Sequence, residues 1–231
     1  MRHAELRNAA AATVEADAPA RSRRTTLPDL RAGRFAPEWR GYPRRMNLDP
    51  RQLSLDEFMV EMHREPVSSI THERLMDLVD RSRLSDALIE SHTRFDEGHY
   101  ARNLVCRTPS FELLVLCWRP GQVSTIHDHL GSLNAIAVVG GQLTSRTFVP
   151  SDGRPPGTGP VEMAGEERVR PGHGWIGVDR GGIHQLANTS GEDLITVHVY
   201  APALMELTVY STDSPEIERH RLRYTLADDL T

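Results

Sequence analysis

Apolar positions along the chain change their period near residue 100. From Ser54 they recur at three- and four-residue spacing: Leu55, Phe58, Met59 and Met62 would share one face of a helix. Ser54 and Glu57 stand where a capping box requires them. Thr71 is placed to cap a second helix that turns Leu75, Leu78 and Val79 inward, and Leu84 to Ile89 continue the helical region. Beyond Tyr100 the pattern shortens to strand-like runs: YARNLVC, FELLVLCW, VSTIH, NAIAVV, QLTSRTFV, RVRPGHGWIGV, HQLAN, DLITVHVY, LTVY and RHRLRYT. Gly140 and Gly141 predict a hairpin turn. About ten short strands after a helical start predict a mainly β fold, a double-sheet jelly-roll barrel over residues 100–212 behind a helical part over residues 54–92.

Residues 1–50 are rich in Ala, Arg and Pro without sustained periodicity, and are expected to be a partly disordered extension in which Trp39 and Tyr42 are apolar anchors. Residues 51–231 are expected to form one catalytic domain, since 231 residues at 39% hydrophobic content suffice for a single substantial core. A net charge of −5 argues against general nucleic-acid affinity, and the lack of a long apolar run argues against a membrane span. All 27 basic residues are arginine, a bias of base composition more than of surface function. Cys106 and Cys117 are too few for a disulfide framework and are expected as buried thiols in a reducing cytoplasm. A monomer acting on a small molecule is the default expectation.

The chemistry concentrates in GQVSTIHDHLGSLNAIAVVGG, Gly121 to Gly141. His127 and His129 are one residue apart, so in a strand both imidazoles point to the same face. A third imidazole from a neighbouring strand would complete one side of a metal site and leave the other side open, and His184 in GIHQLAN is the candidate. Three neutral imidazoles suit iron, copper, nickel or zinc better than magnesium or calcium. Thr196, His198 and Tyr200 likewise alternate along one strand and share a face.

The spacing of Gly121, His127, His129, Asn134 and Gly141 resembles the first motif of the cupins, with Asn134 where many cupins carry Glu. His184 with Gly181 and Asn188 resembles the second motif, with Asp179 in place of the usual proline. YARNLV, LVLCW, STIHDHLGS, GIHQLAN and TVHVYAPA resemble, in order, the stretches of one cupin family, the cysteine dioxygenases, over residues 55–225. That resemblance implies Fe(2+) held by His127, His129 and His184, and Arg102 holding a substrate carboxylate with Tyr100 beside it. It also implies a relay of Thr196, His198 and Tyr200. Asn134 departs from the family's cysteine or glycine, so no thioether to Tyr200 can form. The implied activity is addition of both atoms of O2 to the sulfur of L-cysteine, giving cysteine sulfinate. The alternatives are another small carboxylated thiol, 3-mercaptopropionate or mercaptosuccinate, and a non-catalytic ligand-binding cupin.

Overall fold

The computed structural model describes residues 52–64, 66–151, 153, 157 and 159–225; the expectation for residues 1–50 lies outside them. Three short helices come first: α1 (Leu55–His63), α2 (His72–Arg81) and α3 (Asp86–Ser91). Their starts are chemically marked. Ser54 and Glu57 close the capping box on α1, Thr71 accepts from the Arg74 N–H at α2, and Ser85 accepts from the Leu88 N–H at α3.

Eleven strands follow: β1 (Ala101–Arg107), β2 (Glu112–Trp118), β3 (Ile126–Asp128), β4 (Leu133–Gly140), β5 (Leu143–Pro150), β6 (Val161–Val169), β7 (Trp175–Ile176), β8 (Ile183–Ala187), β9 (Leu194–Ala201), β10 (Glu206–Tyr210) and β11 (Glu218–Arg221). They form two antiparallel sheets, ordered β1-β2-β9-β4-β7 and β11-β10-β3-β8-β5-β6. The chain is mainly β, with the two-sheet architecture of the double-stranded β-helix.

Strands β2 and β9 are buried along their whole length, which explains their near-continuous apolar runs. Their two faces do different things. Leu113, Val115 and Cys117 of β2, with Ile195, Val197 and Val199 of β9, pack under Phe58, Met62, Leu75, Leu78 and Val79 of the helices. Leu114, Leu116, Trp118, Leu194 and Tyr200 turn to a second core together with Leu186 of the other sheet. The helical layer thus seals the outer face of the first sheet, and its inner face is left for polar chemistry.

Two expectations need correction, and one strand lies where none was expected. Gly140 and Gly141 do not join a hairpin, because β4 pairs with β9 and β7 while β5 pairs with β6 and β8; the glycines mark a crossing between sheets. Gly141 has φ +78°, and a Cβ there would run into the backbone of Asp193 and Leu194. The stretch RVRPGHGWIGV is not one strand: β6 ends at Val169, and Gly172 and Gly174, both at positive φ, turn the chain so that β7 joins the other sheet. The strand VEMAGEERV was not expected at all, because only Val161 and Val169 of its nine residues are buried, so it carries almost no apolar signal.

Candidate metal centre and substrate pocket

His127 lies on β3 directly opposite His184 of β8 in the antiparallel ladder, and His129 follows β3 by one residue. All three are buried, and their candidate ligand atoms lie within 4.8 Å of one another. Between them Asp128 points to the opposite face, as strand alternation demands. There its Oδ1 accepts from the Leu130 N–H at 2.9 Å and its Oδ2 accepts from the Tyr210 hydroxyl at 2.6 Å. This holds a tight turn in which Leu130 sits at φ 50° and the Ser132 N–H closes on the His129 carbonyl at 2.9 Å. The turn fixes where His129 leaves the strand.

The protons can be assigned in part. His127 Nδ1 lies 2.8 Å from the Thr125 carbonyl, which can only accept, so Nδ1 carries the hydrogen and Nε2 presents a lone pair. His129 Nε2 and His184 Nε2 face each other at 3.0 Å. That separation would let one ion take both nitrogens as donors. Burial pushes the His127 imidazole down to about 4, and holds His129 and His184 well below the ordinary histidine range, aided by their neighbours' charges. Three neutral, desolvated nitrogen donors aimed at one point fit a divalent transition metal, with no proton competing for the site at neutral pH.

Beside this cluster a cavity is lined by Tyr100, Arg102, Trp118, His127, His198 and Tyr200, among others. Arg102, on β1, is 6% exposed; its Nη2 donates to Glu112 Oε1 at 3.2 Å, while its Nε–H is buried without a partner among the described residues. Tyr100 stacks on Trp118 with ring centroids 4.1 Å apart.

Thr196, His198 and Tyr200 do share a face of β9, and their side chains form a continuous hydrogen-bonded chain: Thr196 Oγ1 to His198 Nε2 at 2.8 Å, and His198 Nδ1 to Tyr200 Oη at 3.1 Å. Trp118 extends it, donating from Nε1 to Thr196 Oγ1 at 3.0 Å. An indole N–H can only donate, and the buried Thr196 O–H finds its acceptor among the described residues in His198 Nε2, which sets the direction. Thr196 accepts from Trp118 and gives its own proton to His198 Nε2. His198, whose pKa burial lowers to about 3, is neutral and donates from Nδ1 to Tyr200. The Tyr200 proton is thereby left for the cavity, and burial raises its pKa so that the proton stays on. The Tyr200 ring meets His129 edge-on at 5.2 Å, which puts the hydroxyl strand beside the histidine cluster.

Asn134, on β4, faces Tyr200 across the ladder and is fully buried. Its Oδ1 accepts from the Val178 N–H at 2.8 Å, and its Nδ2, which makes no hydrogen bond of ordinary geometry among the described residues, stands near enough to the Tyr200 hydroxyl to favour its ionised form slightly. Asn188 and Gly121 staple the two motifs together: the Gly121 N–H donates to the Asn188 carbonyl and the Asn188 N–H to the Gln122 carbonyl, both at 2.9 Å.

The sequence reading did not single out Trp118, Glu112 or Tyr224. Glu112 carried a signal nonetheless, as the single charged residue in the apolar run FELLVLCW, since a carboxylate in a fully buried strand needs a partner. Tyr224 had none, because its contact with Glu112 spans over a hundred residues.

Two sheets carrying three convergent imidazoles on the inner side of one of them define a protein of the double-stranded β-helix class with a candidate metal centre. Residues 60–213 match the family model of cysteine dioxygenase type I, and the chain belongs to that family. It is 30% identical over 113 residues to human cysteine dioxygenase type 1, covering 48% of this chain and 55% of that protein. It is 29% identical over 136 residues to the zebrafish (Danio rerio) enzyme of the same name, covering 58% and 67%. The matched segment thus spans about half the length of the human relative. Among solved structures, an uncharacterized conserved protein with a double-stranded beta-helix domain from Klebsiella pneumoniae aligns with a TM-score of 0.44 at 19% identity, covering 56% of this chain and 92% of that one. Among the described residues no helix is long and apolar enough to cross a membrane.

Proposed function

We propose that the chain is a thiol dioxygenase that converts L-cysteine to cysteine sulfinate, with Fe(2+) held by His127, His129 and His184. The observation that carries this reading is a shared neighbourhood: a buried guanidinium with an unpaired N–H lines one cavity together with His127, whose imidazole converges with those of His129 and His184. Iron held by these three histidines would supply the redox chemistry, favouring the thiolate and activating dioxygen.

The protein's own groups bind and orient. Arg102 holds the substrate carboxylate by charge-assisted hydrogen bonds, directing the thiol toward the histidines, and Tyr100 forms the adjacent wall. Tyr200 donates its free proton to the substrate or to the oxygen being transferred. His198 and Thr196 fix the direction of that proton from behind, and Asn134 packs beside Tyr200 without any covalent link. Leu116, Leu186, Leu204 and Leu207 of the cavity wall limit water around the reacting sulfur.

We place residues 51–231 as the catalytic domain and the protein in a reducing cytoplasm, acting as a monomer. In support of the location, Cys106 and Cys117 are both free thiols, and burial raises the pKa of each, that of Cys117 to about 12. The test is anaerobic loading with ferrous iron, metal analysis, then oxygen uptake and product mass across a thiol panel. Cysteine consumed with one O2 per sulfinate supports the proposal. Faster turnover of 3-mercaptopropionate moves the substrate assignment, and iron binding without oxygen uptake for any thiol makes the protein a ligand-binding cupin.

A further inference from the structure

The group that holds Arg102 lies partly outside the family segment. Glu112 is fully buried at the start of β2, on the cavity side of the sheet; one oxygen accepts from Arg102 Nη2, and the other accepts from the Tyr224 hydroxyl at 2.5 Å. Tyr224 belongs to a strap, residues 222–225, beyond the end of the family match at residue 213. The strap is tied down at both ends. The Leu222 N–H donates to the Met205 carbonyl at 2.9 Å, the Arg102 N–H donates to Thr225 Oγ1 at 2.7 Å, and the Thr225 N–H returns to the Arg102 carbonyl at 2.9 Å. The Tyr224 ring also lies under the guanidinium, 5.9 Å from its carbon.

Two consequences follow for any anion entering the cavity. Arg102 is the only permanently charged residue in the cavity wall among the described residues, and Glu112 already balances its charge. Moreover, Glu112 occupies the Nη2 side of the guanidinium, leaving the Nε–H as an unpaired buried donor. One carboxylate can take that donor. A second would bring another negative charge toward Glu112, and no second permanently charged side chain lines the wall to meet it, in a setting where water screens little.

Resting on the thiol dioxygenase reading, we propose that Glu112, locked by Tyr224, is a positioning residue that restricts the pocket to thiols bearing a single carboxylate. It acts through Arg102 and does not itself touch the substrate. The restriction is on ligand charge and so is separable from oxygenation.

The experiment is calorimetric titration of the full chain, loaded with ferrous iron under argon, with 3-mercaptopropionate (one carboxylate) and mercaptosuccinate (two), for the unaltered protein, Glu112→Gln and Tyr224→Phe. Oxygen uptake is measured in parallel. The unaltered protein binds the monocarboxylate at least about tenfold more tightly; Glu112→Gln shrinks that ratio to about threefold or less, and Tyr224→Phe moves it the same way by a smaller factor. A ratio near one in the unaltered protein, failure to bind either thiol, or the same ratio in the variants overturns the proposal. Where Glu112→Gln does not fold, the ratio in Tyr224→Phe decides alone. Thiols that bind with the expected ratios while no oxygen is consumed would refute the dioxygenase reading and leave the charge restriction standing.

Discussion

Thr196→Val is the sharpest probe of the buried hydroxyl chain, because it keeps the shape of the side chain and removes one oxygen. In the native structure that oxygen accepts from Trp118 Nε1 and donates to His198 Nε2. Thr196, His198 and Trp118 are at most 1% exposed, so water cannot substitute. The variant leaves an indole N–H and an imidazole nitrogen without partners. Each unsatisfied buried group costs about 1–3 kcal/mol, so a loss of about 2–6 kcal/mol is expected. Thr196→Ser keeps both bonds and gives up one methyl, for about 1 kcal/mol. Urea unfolding of the metal-free chain gives both numbers, and nitrogen NMR of His198 gives the tautomer, Nδ1–H in the native protein. A valine variant as stable as the native chain, or a serine variant equally damaged, would refute the hydrogen-bonding role of the hydroxyl, and an Nε2–H tautomer in the native protein would refute the proton direction.

Arg102→Gln should raise the Michaelis constant for cysteine about ten- to a hundredfold, the worth of hydrogen bonds from a charged donor, and an unchanged constant in steady-state oxygen uptake removes Arg102 from the binding role. Tyr200→Phe should retain iron by metal analysis while turnover falls about a hundredfold; loss of the metal instead would mean that the hydroxyl supports the histidine cluster. His198 is neutral when folded down to about 3, whereas the unfolded chain takes up its proton below 6.5, so the unfolded state binds more protons and stability falls as pH drops from 6.5 toward the folded value. His198→Asn should therefore flatten the decline by up to about 1.4 kcal/mol per pH unit, and parallel curves would show that His198 is not the group responsible. Gly177→Ala places a Cβ against the Asn134 carbonyl oxygen and near His72, and should cost about 1–3 kcal/mol in thermal or urea unfolding; a neutral substitution would mean that β4 yields there easily.

What was legible in the sequence was what strand periodicity can encode. His127 and His129, and likewise Thr196, His198 and Tyr200, share a face because their spacing is two, and the ladder then brings His184 opposite His127. The helices were legible because capping residues are local. Glu112 pairing with Arg102 and Tyr224 depends on which strands become neighbours, and Trp118 joining the hydroxyl chain depends on the β2–β9 register; neither is written in any short window. Strand β6 was missed because a solvent-facing edge strand needs no apolar pattern, and the glycine pair after β4 was misassigned because a sheet crossing and a hairpin use the same residues.

The order of strands in the first sheet has a consequence for assembly. Strand β9, made after β1, β2, β4 and β7, inserts between β2 and β4. Those earlier strands therefore cannot close upon each other, and the gap must wait for residues 194–201. Contacts so distant along the polypeptide slow the search for the native state. Thr196, His198 and Tyr200 consequently arrive with the strand that fills this gap, so a nascent chain halted before β9 would carry all three clustered histidines but an open cleft where the hydroxyl chain belongs.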